Sequence, residues 1–264
     1  MIDPERPLHE ELHRIMVEQV DVALIGLQEH GPTESVVHEA RKASKRGRAV
    51  GQLVRPVLDR KVWAWLDHGF RDAARLLGPL RDADVARKNL GDAAPPRPES
   101  TGVTQAAIEA YQRARQRADA VPLHGFDDAE LVAGLRASWR SARRAAAEAS
   151  PGDPESFHEW RKAVKHLYYQ VQLVRTLQPM ALGGLADQLD VLQESLGDHH
   201  DTVIGAELAG PHAEGIDALI ARRRVLEAQT VPLGKWLFAS RPRRFARWIG
   251  ASLAALRPTA ALVG

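Results

Sequence analysis

Apolar residues along this chain recur at intervals of three and four, a periodicity that predicts helices throughout. The first predicted helix runs from about Leu8 to Glu29, with Leu12, Ile15, Met16, Val20, Ala23 and Leu27 along one face. Gly31-Pro32 ends it, and Thr33 or Ser35 can cap a second helix, from about Ser35 to Arg55, which Pro56 terminates. A third covers 60–77, closed by Gly78-Pro79. A fourth begins near Arg81 and is interrupted over residues 91–98, and the pattern resumes from Thr104 to Val121. Pro122 to Gly125 is the expected joint between halves of residues 1–122 and 123–264. Further helices follow at about 127–149, 156–177, 183–196 and 200–230, the last with a break at Gly210-Pro211, before a C-terminal segment interrupted at Arg241-Pro242. No stretch has the alternation of a strand. Short loops between such helices imply antiparallel neighbours, so the expected fold is all-α, two four-helix bundles.

The halves repeat each other. His38-Glu39-Ala40-Arg41-Lys42-Ala43-Ser44-Lys45 recurs 120 residues later as His158-Glu159-Trp160-Arg161-Lys162-Ala163-Val164-Lys165. Gln52, Leu53, Val54 and Arg55 return as Gln172, Leu173, Val174 and Arg175, giving 10 identities over the 18 positions from 38 to 55. At about 100° per residue, His38, Arg41, Lys42, Lys45, Arg48, Gln52 and Arg55 share one arc of roughly 140°. Ala40, Ala43, Val50 and Val54 lie opposite, where they can pack. In the second copy Tyr168 replaces Arg48. Solubility alone does not require the same cations at the same places, so the duplicated stripe points to an extended anionic ligand.

A second element is duplicated. Leu77-Gly78-Pro79-Leu80-Arg81-Asp82 matches Leu196-Gly197-Asp198-His199-His200-Asp201. The shared Leu-Gly-x-x-x-Asp reads as a helix–turn–helix corner, with Asp82 and Asp201 placed to hold a cation or the repeated His. His199-His200-Asp201 has the composition of a metal site, but the first copy has Leu80 and Arg81 at the histidine positions, so no metal is expected. Supporting cations cluster at Arg113, Arg115 and Arg117, at Arg136, Arg140, Arg143 and Arg144, and at Arg222, Arg223 and Arg224. No His-Glu-x-x-His, Gly-rich phosphate loop or Gly-x-Ser-x-Gly is present, and neither a cofactor nor a catalytic residue is expected.

The 264 residues carry a net charge of only +2, but the signs are sorted. Residues 38–55 hold six bases and one acid, and residues 235–257 six bases and no acid. Residues 182–201 hold five acids and no Lys or Arg. The absence of cysteine rules out disulfides and thiolate chemistry. No apolar run suggests a signal peptide or a membrane span, so a cytoplasmic protein without a membrane partner is expected.

His-x-x-Arg-Lys-x-x-Lys followed by Leu-Gly-x-x-x-Asp, in two copies over roughly residues 8–257, resembles the CHAD domain, the conserved histidine α-helical domain. The resemblance implies two pseudo-symmetric bundles with a basic groove or pore between them. It implies non-catalytic binding of inorganic polyphosphate and association with polyphosphate granules. His38, Arg41, Lys45 and Arg48 match the first family motif, and His158, Arg161 and Lys165 the second. Tyr168 and His166 depart from the family's usual cations. The expected binding set adds Lys42, Arg55, Lys162, Arg175, Arg113, Arg117, Arg136, Arg140, Arg144, Arg222 and Arg223, with Asp82, Asp201, Gln52, Gln172 and Tyr168 behind them. The alternatives are a metal-dependent phosphohydrolase or polyphosphatase and a nucleic-acid binder. Few aromatics lie in the stripes for base stacking.

Overall fold

The computed structural model describes residues 1–90, 95–209 and 215–255. Within them the regular structure is helical, as expected. The chain divides into two compact units, residues 2–130 and residues 131 onward.

Unit one contains α1 (Leu8–His30), α2 (Glu34–Val54), α3 (Arg60–Leu76), α4 (Gly78–Leu90) and α5 (Thr101–Asp119). Gly31, at φ 66°, ends α1 in a backbone conformation that only glycine adopts without strain. Thr33 is the cap of α2, its hydroxyl accepting from the Val36 N–H at 3.3 Å. The apolar side of α2 is buried as its pattern predicts: Ala40, Ala43, Val50 and Val54 pack with Leu12, Met16 and Val20 of α1 and Phe70 of α3 in one core. Each large aliphatic side chain buried there stabilises the fold by about 1.5–3 kcal/mol. Gly47 lets α2 approach α3, because a Cβ at that position would overlap the Phe70 ring. Beyond α4, residues 95–100 have no regular structure, and Arg97 pins them. Its guanidinium binds the buried Asp84 carboxylate (Nε to Oδ1 2.8 Å) and the Pro32 carbonyl at 2.6 Å. The expected interruption at 91–94 lies outside the described residues.

Unit two repeats the frame. After α6 (Asp128–Glu148), α7 (Pro154–Val174) is 21 residues long, as α2 is, and stands 120 residues after it. A 3-10 turn follows each, at Arg55–Val57 and Arg175–Leu177. Next come α8 (Pro179–Ala209), α9 (Ile216–Leu237) and α10 (Pro242–Ala254). Asp153 caps α7 by accepting from the N–H groups of Glu155 and Ser156. Trp139 of α6 stacks on Phe245 of α10, with ring centroids 4.0 Å apart, and donates to the Ser240 carbonyl at 3.0 Å. Gly234 of α9 admits the Trp160 ring of α7 in the same manner as Gly47 admits Phe70.

The duplicated Leu-Gly-x-x-x-Asp differs from expectation. In unit one it is a break, with α3 ending at Leu76 and α4 starting at Gly78 rather than near Arg81. In unit two there is no corner: α8 runs unbroken for 31 residues, roughly 46 Å, through Gly197 to Ala209. The expected separate helices at 183–196 and 200–230 are therefore one helix plus α9. Pro79 explains the difference. It has no N–H to donate to Arg75, and its ring clashes with that carbonyl. Asp198 occupies the matching place in unit two and leaves the helix intact. The expected break at Gly210-Pro211 lies outside the described residues.

Candidate anion-binding site

In unit one the polar stripe of α2 faces α3 across an open cleft of about 320 Å³, lined by Arg41, Ser44, Lys45, Arg48, Arg71, Ala74, Arg75 and Gly78. Five of these eight residues are cations and none is an acid. Arg41 donates from Nη1 to the Ala74 carbonyl at 2.8 Å, which fixes its guanidinium at the α3–α4 break. Arg48 is held by the buried Asp67 of α3. Among the described residues Arg71 pairs with Asp72 alone, in an exposed contact at 3.3 Å, worth well under about 1 kcal/mol. Unit charges 4 Å apart interact by about 1 kcal/mol in bulk water and about 4 kcal/mol near a protein surface, so a multivalent anion here would gain from several cations at once.

Other members of the stripe lie around this cleft. His38 is held below its usual pKa by partial desolvation, then by the Arg81 guanidinium, with Lys42 and Lys45 adding to the effect. Lys42 pairs with Glu39. Arg55 lies over the Trp63 ring, 4.4 Å from its centroid. Gln52 is half-buried on the same helix. Beneath the stripe, the Ser44 hydroxyl and the Tyr111 phenol lie 2.8 Å apart, and Tyr111 donates to the Ala40 carbonyl. Burial pushes the Tyr111 phenol up to about 12, so it stays a neutral donor.

Unit two gathers a smaller cluster. The His158 and His200 rings sit with centroids 5.0 Å apart. Burial lowers the Arg161 pKa, opposed by the charge of Asp201, and the buried Arg161 Nε has no hydrogen-bond partner among the described residues. Burial and the Arg161 charge lower Lys165 to about 8, while Asp201 acts to raise it. Asp201 thus lies close enough to Arg161 and Lys165 of α7 to act on their charges. Its counterpart Asp82 is exposed and, among the described residues, makes no ion pair or hydrogen bond with α2. Tyr168 has its pKa raised by burial first, then by the neighbouring Asp190, with Gln172 acting the other way. Lys162 pairs with Glu159, and Arg175 lies in the 3-10 turn after α7.

His199 and His200 diverge, since consecutive residues on a helix point about 100° apart. His199 is buried against Phe157, its Nε2 3.1 Å from Glu227 Oε1. The same Glu227 accepts from the Gly152 N–H at 3.1 Å.

Several supporting cations are engaged locally. Arg117 donates to the Trp65 carbonyl and covers its ring, Arg115 binds Asp21, and Arg143 caps the Phe238 carbonyl. Arg222 lies 3.8 Å from Asp198, and Arg223 points inward to Glu227 at 3.7 Å. Arg144 meets Glu148 at 3.9 Å. Arg113 and Arg140 are exposed and Arg136 half-buried.

A family model described as the CHAD domain matches residues 18–124 and again residues 122–210, once for each repeat. The chain belongs to the CHAD domain family. The crystal structure of the CHAD domain from the plant Ricinus communis is similar over 97% of this chain and 94% of that one, with a TM-score of 0.53 and 23% identity, a likeness of fold. Uncharacterized protein MT2285 of Mycobacterium tuberculosis (strain CDC 1551 / Oshkosh) is 26% identical over 239 residues, which cover 76% of this chain and 45% of that protein. The chain therefore spans about half the length of the curated relative it matches. Among the described residues, no helix is long and apolar enough to cross a membrane.

The CHAD motifs led directly to Arg41, Lys45 and Arg48, but not to Arg71 and Arg75, which complete the cleft from α3. Their spacing of four residues places them on one face of that helix, the signal that could have found them.

Proposed function

We propose that this CHAD protein binds inorganic polyphosphate without turning it over. The supporting observation is the cleft of unit one, where Arg41, Lys45, Arg48, Arg71 and Arg75 converge with no carboxylate in the lining. Guanidinium forks match phosphate oxygens, and a row of cations suits a ligand with a charge on every repeat. The family's association with polyphosphate agrees with this chemistry. The stripe of α7, with His158, Arg161 and Lys165, supplies further contacts. A cytoplasmic protein held at polyphosphate granules is the cellular counterpart of this reading.

Titration with polyphosphate of defined length across a salt series tests it. Binding should weaken steeply as salt rises, because each neutralised phosphate releases counterions. No binding, or an affinity indifferent to salt, would sink the proposal. Phosphate release that requires a divalent metal would favour the phosphohydrolase reading, and displacement of polyphosphate by single-stranded RNA at equal charge would favour a nucleic-acid binder.

A further inference from the structure

We infer that the two repeats carry unequal shares of the polyanion, and that Arg71 and Arg75 of α3, set against Asp190 and Glu194 of α8, make the difference. This inference rests on the polyphosphate-binding reading and says which half does most of the binding.

The comparison is positional. The first residues of α3 and α8, Arg60 and Pro179, stand 119 residues apart, as do the two copies of Leu-Gly-x-x-x-Asp that begin at Leu77 and Leu196. In that register Arg71 corresponds to Asp190 and Arg75 to Glu194. The helices facing them keep their cations: Arg41 and Lys45 on α2, Arg161 and Lys165 on α7. One wall of the site is therefore retained, and the other has reversed its sign.

The reversal is expressed in unit two. Asp190 interacts with Tyr168, which stands where unit one has Arg48. Gln193 also donates to Asp190 at 2.9 Å. Asp190, Glu194 and Asp201 fall within about 40° on the α8 surface, one acidic stripe. Asp201 acts on the charges of Arg161 and Lys165. The five acids of residues 182–201 include this stripe. A phosphate chain tracking α7 meets carboxylates at the places where, on α2, it meets guanidinium groups. Its contacts in unit two contract to the end bearing His158, Arg161 and His200, whereas in unit one they extend along the cleft.

Four charge variants of the full chain, titrated with long-chain polyphosphate over a salt series, test this. Arg71→Glu with Arg75→Glu should weaken binding by at least about tenfold and flatten the slope of log affinity on log salt by about 2. Arg71→Gln with Arg75→Gln should give a smaller loss of the same kind, and helicity by circular dichroism should be unchanged in both. Glu194→Arg, at an exposed position, should tighten binding and steepen the slope by about 1. Arg161→Glu with Lys165→Glu should cost less than the Arg71 and Arg75 reversal. If the wild-type chain binds but the Arg71 and Arg75 variants match it, or the Arg161 and Lys165 pair costs as much, the inequality is overturned and the binding reading stands. If the wild-type chain does not bind, both fall.

Discussion

Arg48 of α2 grips Asp67 of α3 with two hydrogen bonds, Nε to Oδ1 at 2.8 Å and Nη2 to Oδ2 at 3.3 Å. The pair joins the two walls of the cleft and aims a guanidinium into it. Unit two has Tyr168 and Ala186 at the corresponding positions, so this clamp belongs to unit one. Asp67→Ala would leave a half-buried guanidinium without its acceptor. Stability should fall by about 1–3 kcal/mol, read as a lower urea midpoint at unchanged slope.

Lys165 makes stability depend on pH with a definite sign. Its folded pKa of about 8 lies below the ordinary 10.5. Between those values the unfolded chain holds a proton that the folded chain has lost, so stability rises with pH across that window. Below about 8 the lysine is charged in both states and its contribution is constant. Urea unfolding at pH 7.5, 9 and 10 should show a rise that Lys165→Met removes. A bound polyphosphate favours the charged amine, so binding above pH 8 should take up a proton, measurable by calorimetry in buffers of different ionisation enthalpy.

Glu227 ties three segments of unit two together: its own helix α9, His199 on α8 and the Gly152 N–H in the loop before α7. Glu227→Ala would strand the Gly152 amide and the His199 ring. A loss of about 1–3 kcal/mol is expected by chemical denaturation. Glu227→Gln keeps an acceptor for Gly152 and should lose less.

Gly47 is required by close packing. An alanine there would overlap the Phe70 ring, at a cost of about 1–3 kcal/mol. Phe70→Leu should be destabilising alone yet recover part of the loss in the double variant. Additive effects would show that the contact is not the cause.

Much of the fold was legible because local chemistry decides it. The apolar face of α2, the Thr33 cap and the stop at Gly31 are each read from a few neighbouring residues. The motif cations were legible because duplication marks them. The second wall was hidden by a one-residue shift between the repeats. At the offset of 120 that aligns α2 with α7, Arg71 and Arg75 face the wrong partners, whereas the duplicated Leu-Gly-x-x-x-Asp and the first residues of α3 and α8 both stand at 119. The expected corner at Gly197 failed because glycine permits a helix to end but does not force it, whereas Pro79 forces it.

That proline also changes what the main chain offers to side chains. By ending α3 at Leu76, it leaves the Ala74 carbonyl in a final turn, where helical donors run out. Arg41 fills the vacancy. In the uninterrupted α8 the equivalent carbonyl, that of Gln193, is already spoken for by the helix, and Arg161 is left with a buried Nε that finds no acceptor among the described residues. Twin arginines inherited at the same place in a repeat thus have different employment. One is anchored to the backbone of its own unit, and the other carries an unmet demand for an acceptor, set by a single imino acid on the neighbouring helix.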